Sequence, residues 1–235
     1  MARGNAIHAA IERIVHTWPE ALPDDCADQI EGFLHEALTD AGFEDAALAR
    51  ERPLARNCAR WLERFERERR ERGATLLIEQ SGALAFDAPG GPFTLTARAD
   101  RIELDATGAA VIDFKTGSTP SQKQVVQGFA PQLTLTAAIL AEGGFSAPPT
   151  QASELLYVRV TGRREPGVVT DVSRQGRSNT LSAADLATRE LERLKQGVEA
   201  FDDEATPYAS WVAPQFMGSF GGNYDHLARV WEWHV

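Results

Sequence analysis

The sequence predicts an α/β domain built on a mixed sheet, and three observations carry this prediction. Up to residue 73, apolar residues recur at the three-to-four spacing of helices. From residue 74 to residue 115 the spacing changes to two, as in strands, and turn-forming residues separate the segments. A helical segment and another strand follow. This order of helices, three strands, helix and strand indicates a layered α/β architecture.

The first 73 residues are predicted to form three helices. The first carries an apolar stripe and is closed by Pro19. The second begins after the sequence PDD at 23–25 and stops at Gly42, and Pro53 is expected to open the third. The outer side of this third helix carries interleaved arginines and glutamates. We interpret them as ion pairs at i,i+4 spacing rather than as a DNA-facing stripe.

The three strands are read in TLLIEQSGALAF, FTLTARADRIEL and AAVIDFK, with turns at DAPGGP and DATG. Consecutive strands joined by such short turns predict an antiparallel meander. A helix is then expected over about 121–142 and a strand over 153–160, with a second candidate strand at 167–172. Ser182 and Asp185 have the spacing of a capping box and begin a helix. A last short helix is expected near YDHLARVWEW.

We expect a single domain over residues 1–235, divided into N-terminal helices (1–73), a core (74–162) and a C-terminal helix and tail (163–235). The net charge of −10 argues against autonomous, avid binding of nucleic acid, although it leaves room for a locally basic groove. Cys26 and Cys58 are too few for a disulfide framework or a zinc cluster, which favours a cytoplasmic location. No apolar run approaches the ~18 residues of a membrane span, so no membrane partner is expected.

The segment VIDFKTG contains a paired acid and base inside an otherwise apolar strand. Asp113 and Lys115 project from the same face, because side chains at i and i+2 do so in a strand. Counting outward from the turn at 105–108, Asp100 falls opposite Asp113. Two carboxylates this close repel each other unless a cation or a proton lies between them, and Mg²⁺ binds such groups together with phosphate oxygens. The set fits phosphodiester hydrolysis, while a plain surface ion pair is the alternative.

Four motifs in this order resemble the RecB-like branch of the PD-(D/E)xK nuclease superfamily. A helical G-x-x-x-H is formed by Gly4 and His8, R-x-D-R-h by Arg98–Ile102, and h-D-[YF]-K-T-G by Ile112–Gly117, and Gln132 follows on a helix. Further segments, among them PQLTLTAAIL and YDHLARVWEW, are similar to the C-terminal nuclease domain of AddB-type subunits of bacterial helicase–nucleases. The resemblance implies a restriction-endonuclease-like αβββαβ core with a mixed sheet, preceded by an N-terminal helical region.

The resemblance also implies a role for each motif residue. Asp100, Asp113 and His8 would ligate Mg²⁺ or Mn²⁺. Lys115 would position or activate the attacking water, and Gln132 would orient Lys115 or a phosphate. Taken alone, His8 is more often a half-buried helical histidine, but the order and spacing of the motifs favour the ligand role. For Gln132 taken alone, an ordinary polar position flanking a core helix is about as good an interpretation as the site role.

Four other positions have a less direct connection to the site. The backbone carbonyl of Phe114 would be a further metal contact. Arg98 and Arg101 are candidate DNA contacts or would only screen Asp100, and Thr116 is a third candidate DNA contact. Glu79 could lie at the edge of the site, but we expect it at the surface.

The function implied is a Mg²⁺- or Mn²⁺-dependent deoxyribonuclease in double-strand break repair and homologous recombination. It would digest single-stranded DNA ends fed by an AddA-type helicase partner. The alternative is a catalytically inactive DNA-end-binding or partner-docking domain of the same fold. Thr136 stands where the family often has tyrosine, and no iron–sulfur cluster is expected with two cysteines. The chain would be a fragment of a longer subunit or a stand-alone nuclease.

Overall fold

The structure is a computed structural model that describes residues 2–177 and 179–207. The predicted helix near YDHLARVWEW lies outside the described residues. The helices are α1 (Ala2–Thr17), α2 (Cys26–Asp40), α3 (Asp45–Arg70), α4 (Gln122–Val126), α5 (Gln132–Ala141) and α6 (Ala183–Asp202). The strands are β1 (Thr75–Ala88), β2 (Gly91–Asp105), β3 (Gly108–Lys115), β4 (Ala152–Val160) and β5 (Gly167–Asp171).

The five strands form one mixed sheet in the order β1-β2-β3-β4-β5. β1, β2 and β3 form the predicted antiparallel meander, β3 and β4 are parallel, and β5 returns antiparallel to β4. The crossover between the two parallel strands contains α4 and α5. The predicted α/β fold class, with an αβββαβ core and preceding helices, is therefore confirmed, while the domain division stays a prediction.

Helices cover both faces of the central strands. On one face, Ile112, Leu156 and Val158 pack with α1, α2 and α3. On the other face, Val111 and Leu155 pack with α5 and α6. β3 and β4 are apolar along most of their length because both of their faces are buried. Among the described residues, no helix combines the length and the apolar character that a membrane span needs.

The prediction that Pro53 opens the third helix is wrong, because α3 begins at Asp45 and contains Pro53. The apolar stripe of this helix already starts at Leu48, which is buried. Pro53 lies on the exposed side. There the carbonyl group that loses its helical hydrogen bond remains accessible to water, so the helix tolerates the proline.

The continuous helix predicted over 121–142 is also wrong, because α4 and α5 are separate. Gly128 adopts a φ of +82° and Pro131 follows, and neither continues a helix. α5 starts afresh at Gln132. The break therefore brings Gln132 to the first turn of a helix, directly beside the end of β3.

Candidate active site

The site begins where β2 and β3 separate. Arg101 and Ile112 are the last paired residues of the β2–β3 ladder. Asp100 and Asp113 stand one step beyond them, opposite each other. The backbone N–H of Phe114 donates to Oδ2 of Asp100 at 2.8 Å instead of continuing the ladder. The carboxylate of Asp100 is thus held against β3, beside that of Asp113.

His8 reaches this point from α1. Its Nε2 lies 3.0 Å from the carbonyl oxygen of Phe114, and its Nδ1 lies 3.6 Å from Oδ2 of Asp100. α1 comes close to the end of β3 at Gly4, where a Cβ would make a tight contact of 3.2 Å with Oγ1 of Thr116. Gly4 thus leaves room for α1 beside Thr116, and His8 places its imidazole at the site.

Glu79 belongs to the site, and the expectation of surface placement is wrong. It stands across from Asp100 on β1, and its side chain is only 16% exposed. One carboxylate oxygen lies 3.9 Å from Nδ1 of His8, and the other accepts an ion pair from Nε of Arg98 at 2.9 Å. Glu79 also has a φ of +50°, which is uncommon for a residue with a side chain. Counting the register from the β1–β2 turn could have found it.

Lys115 and Gln132 form a closed set of contacts with Asp113. Nζ of Lys115 lies 2.7 Å from Oδ2 of Asp113 and donates to Oε1 of Gln132 at 3.1 Å. Nε2 of Gln132 donates to Oδ1 of Asp113 at 2.5 Å. Tyr157, beside Asp113 on β4, lies beneath this set, with its ring centroid 6.0 Å from Nζ. The lysine is held in one orientation at the end of the strand.

Burial sets the electrostatics of this site. It raises the pKa of Asp100, and the nearby Glu79 carboxylate raises it further, against the opposing effect of the Phe114 N–H and His8. Burial likewise raises the pKa of Asp113, although Lys115 opposes that change. The phenol of Tyr157, buried beside Asp113, has its pKa raised to about 12. Asp100, Asp113 and Glu79 form a row of poorly solvated carboxylates, and such a row favours a bound cation.

The donor atoms fit a hard divalent cation. One ligand atom each from His8, Glu79 and Asp100 lies within 4.8 Å of the other two. Among the described residues this group of three does not include Asp113 on the adjoining strand, whose carboxylate contacts Lys115 and Gln132. The carbonyl oxygen of Phe114, 3.0 Å from Nε2 of His8, is a further oxygen atom beside the group. Carboxylate and carbonyl oxygens suit Mg²⁺ and Mn²⁺, and imidazole is compatible with Mn²⁺ and other divalent ions.

The three candidate DNA contacts differ in accessibility. Arg98 is 64% exposed beside Glu79, and Thr116 is half-buried next to Gly4. The candidate role of Arg101 as a DNA contact is wrong, because its side chain is fully buried. It lies on the opposite face of β2 from Asp100, under α3.

Arg101 is enclosed by two acidic side chains, Glu66 and Glu103. Its Nη1 lies 2.5 Å from Glu66 and its Nε 2.7 Å from Glu103. Glu66 belongs to α3, whose charged residues we expected to be solvated, yet it is completely buried. Arg69 pairs with the second oxygen of Glu103 at 2.5 Å. These residues link α3 to β2 directly behind Asp100.

Thr136, at the position where a tyrosine was expected, is buried and donates from Oγ1 to the backbone carbonyl of Gln132 at 2.8 Å. It is not available for a phosphate.

Comparison with known proteins gives the following matches. The model of a family described as the PD-(D/E)XK nuclease superfamily matches residues 1–211. An uncharacterized protein of Rickettsia bellii (strain RML369-C) is 26% identical over 178 residues, which are 69% of this chain and 20% of that protein. Protein RC0550 of Rickettsia conorii (strain ATCC VR-613 / Malish 7), also uncharacterized, is 32% identical over 83 residues, 35% of this chain and 10% of that protein. The chain thus spans a fifth or less of these relatives. The crystal structure of SSO0001 matches with a TM-score of 0.33 at 15% identity, covering 81% of this chain and 85% of that one.

Proposed function

The chain belongs to the PD-(D/E)XK nuclease superfamily, and on that premise we propose that it is a Mg²⁺- or Mn²⁺-dependent deoxyribonuclease that hydrolyses phosphodiester bonds. The observation that carries the proposal is the Lys115–Asp113–Gln132 set, closed by contacts of 2.7, 3.1 and 2.5 Å. It stands beside the carboxylate of Asp100 and the imidazole of His8. Acidic side chains can hold a metal ion that activates water, and a fixed lysine beside them can offset the charge that develops on the phosphoryl group.

Each residue has a role in this proposal. Asp100, Asp113 and His8 would hold the ion, with the carbonyl of Phe114 as a further ligand. When bound, the ion would polarise a phosphoryl oxygen and lower the pKa of the attacking water.

The lysine and the glutamine act on the other reactants. Lys115 would hold the attacking water and offset the negative charge that develops on the phosphoryl group. Gln132 would keep the ammonium group aligned, because it contacts both Lys115 and Asp113. Arg98, which is exposed, and Thr116, which is half-buried, remain the proposed contacts to DNA phosphates.

We further propose that the substrate is a single-stranded DNA end supplied by an AddA-type helicase subunit during double-strand break repair. The support is the sequence resemblance to AddB-type nuclease domains and the net charge of −10. A domain that repels DNA overall can still act on it when a partner delivers the strand at a high effective concentration.

The test is cleavage of end-labelled single-stranded and duplex DNA by the purified chain, with Mg²⁺, Mn²⁺, Ca²⁺ or EDTA. Lys115→Ala is the control for a contaminating nuclease. We expect cleavage with Mg²⁺ or Mn²⁺, none in EDTA, and none with the variant. Equal cleavage by wild type and Lys115→Ala would refute the proposed site.

Absence of cleavage under every metal, also after addition of a helicase subunit, would favour the docking-domain alternative. Where the wild type does cleave, Asp113→Ala gives the decisive comparison. A catalytic site predicts that this variant loses cleavage while it retains DNA binding.

A further inference from the structure

The turn between β4 and β5, residues 161–166, lies at the same end of the sheet as the active site. β4 runs parallel to β3, with Arg159 in register with Lys115, and the turn begins two residues later. α1 connects the two places. The carbonyl of Thr161 accepts from Nη2 of Arg3 at 2.6 Å, and Gly4 next to it faces Thr116. His8 follows Gly4 by four residues on α1. The β4–β5 turn therefore lies about one turn of this helix away from His8.

The turn is fixed on α3 rather than free. Nδ2 of Asn57 donates to the carbonyl of Gly162 at 3.0 Å. Gly162 has a φ of +68°, and a Cβ there would lie 2.1 Å from the carbonyl oxygen of Leu54. A Cβ at Gly167 would lie 2.3 Å from the ring of Trp61. Contacts this close require glycine at both positions and hold the turn against the helix.

Four arginines are exposed where the β4–β5 turn packs on α3. We call them the basic ridge: Arg163 and Arg164 on the turn, and Arg60 and Arg64 on α3. The two on α3 share a helical stripe with Asn57, at i+3 and i+7. Among the described residues, none of the four has a carboxylate partner within 4.0 Å.

Neighbouring arginines behave differently. Arg56 pairs with Glu31 at 3.1 Å, Arg67 with Glu63 at 2.9 Å, and Arg159 with Glu165 at 2.9 Å. The ridge is therefore a concentration of unneutralised positive charge on a chain whose net charge is −10. Its guanidinium groups have the geometry and the weak hydration that suit phosphate contacts.

We propose that the basic ridge binds the phosphate backbone of the single-stranded DNA whose end lies in the active site. This inference rests on the proposed nuclease function and adds a surface to it. A strand leaving the metal site past the first turn of α1 meets Arg163 and Arg164 next, and then Arg60 and Arg64. The contacts are to backbone phosphates, so they carry no preference for base sequence.

The experiment measures anisotropy of a fluorescent oligothymidine bound to the full chain in EDTA, over a series of NaCl concentrations. Two double variants remove charge from the ridge, Arg163→Gln/Arg164→Gln and Arg60→Gln/Arg64→Gln. The matched control is Arg72→Gln/Lys195→Gln, which removes the same charge from groups paired with Glu154 and Glu192 elsewhere. Melting temperatures of all variants check that the fold is retained.

For each ridge variant we expect the slope of log K against log salt to lose about 1.4, since a single strand contributes ~0.7 per phosphate contact. The same relation gives roughly 25-fold weaker binding at 0.1 M salt. The control should keep the wild-type slope. An unchanged slope in both ridge variants, or no binding by wild type, would overturn the ridge.

Cleavage separates this proposal from the proposed function. If wild type cleaves DNA with Mg²⁺ and the ridge variants bind DNA as wild type does, the nuclease proposal is supported and the proposal for the ridge is refuted. If no metal supports cleavage but the ridge variants lose DNA binding, the proposal for the ridge is supported and the nuclease proposal is refuted.

Discussion

Asp100 and Asp113 lie opposite each other on adjacent strands, one step past Arg101 and Ile112, the last pair of the β2–β3 ladder. Asp113 is buried and Asp100 is largely buried, and burial raises the pKa of both carboxyl groups. Lys115 compensates Asp113 directly at 2.7 Å, whereas Asp100 accepts from the N–H of Phe114, lies near His8 and feels Lys115 from a greater distance. The close placement of the two carboxylates suits a divalent ion. Without the ion, the same placement destabilises the folded protein when both carboxylates are charged.

This charge arrangement predicts a pH-dependent stability of the metal-free protein. Folding raises the pKa of Asp100, so the folded state binds the proton more tightly than the unfolded state, whose aspartate pKa is ~3.9. The stabilising effect is complete below that unfolded value and is lost as the pH rises through the folded pKa. Asp100→Asn, which cannot ionise, should therefore gain stability relative to wild type as the pH rises. Urea unfolding in EDTA at a series of pH values measures this.

Asp87→Asn is the matched control, because Asp87 is exposed on the hairpin formed by β1 and β2. It should track the wild type across the pH range. A constant difference between Asp100→Asn and wild type at every pH would contradict the electrostatic explanation.

Metal binding should reverse the penalty. An ion that binds only the folded state stabilises by RT ln(1 + [L]/Kd), about 1.4 kcal/mol at ten times Kd. For a domain of this size that corresponds to a rise of ~3–6 °C in Tm. Differential scanning fluorimetry with Mg²⁺ or Mn²⁺ measures it. Asp100→Asn should lose the rise and Asp87→Asn should keep it. A rise that survives in Asp100→Asn would assign metal binding to another place on the chain.

The centre of the site could be predicted because its geometry is local. The turn between β2 and β3 pairs Asp105 with Gly108, so counting outward fixes Asp100 opposite Asp113 without knowledge of any other element. Lys115 follows from the two-residue period of the strand. Its further contact with Gln132 depends on how α5 lies against β3, and only a family resemblance, not the residue pattern, indicated it.

What failed depends on packing between distant elements. Arg101 and Glu66 look like ordinary surface charges, and only the position of α3 over β2 makes each the buried partner of the other. Glu79 is a different case, because the continuous register of the β1–β2 hairpin puts it opposite Asp100 and counting from the turn could have found it. In both cases a polar residue type alone says nothing about its burial.

Glu79 should matter for metal binding although it lies outside the recognised motifs. Its carboxylate is part of the group with His8 and Asp100 that spans 4.8 Å. We expect Glu79→Gln to weaken Mn²⁺ binding by roughly 10- to 100-fold, the range for groups that ligate or support a metal ligand. Isothermal titration with Mn²⁺ measures this.

Arg98→Gln is the comparison for Glu79→Gln, because it removes the partner of Glu79 and leaves the carboxylate. It should bind the ion at least as well as wild type. Equal affinity of Glu79→Gln and wild type would restrict the ligands to the other residues of the site.

Gln132 should affect turnover more than metal binding, because it contacts Lys115 and Asp113 through its side-chain amide. Gln132→Ala frees the ammonium group without removing a carboxylate. We expect kcat to fall by about 10- to 100-fold, with the Mn²⁺ affinity within a few-fold of wild type. Gln127→Ala, at an exposed position just after α4, is the matched control. A parallel loss of metal binding in Gln132→Ala would mean that it supports Asp113 rather than Lys115.

Arg101 provides the clearest separation of a structural role from a DNA contact. Arg101→Met leaves Glu66 and Glu103 buried without their common partner, which should cost about 3–5 kcal/mol of unfolding free energy. Chemical denaturation measures this loss. The double variant Arg101→Met/Glu66→Met removes one of the stranded charges as well, and should recover part of the loss. Arg98→Met, three residues earlier and on the opposite, exposed face of β2, should change stability by less than about 1 kcal/mol.

DNA binding distinguishes the same two arginines in the opposite sense. Per folded molecule, Arg101→Met should bind single-stranded DNA as wild type does, because no atom of Arg101 reaches solvent. Arg98→Met should bind more weakly, since its guanidinium is accessible beside the carboxylate row. The contrary result would be an Arg101→Met variant that is as stable as wild type and deficient only in DNA binding. In that case β2 would have to move away from α3 when DNA binds, and Arg101 would be buried only in the unbound protein.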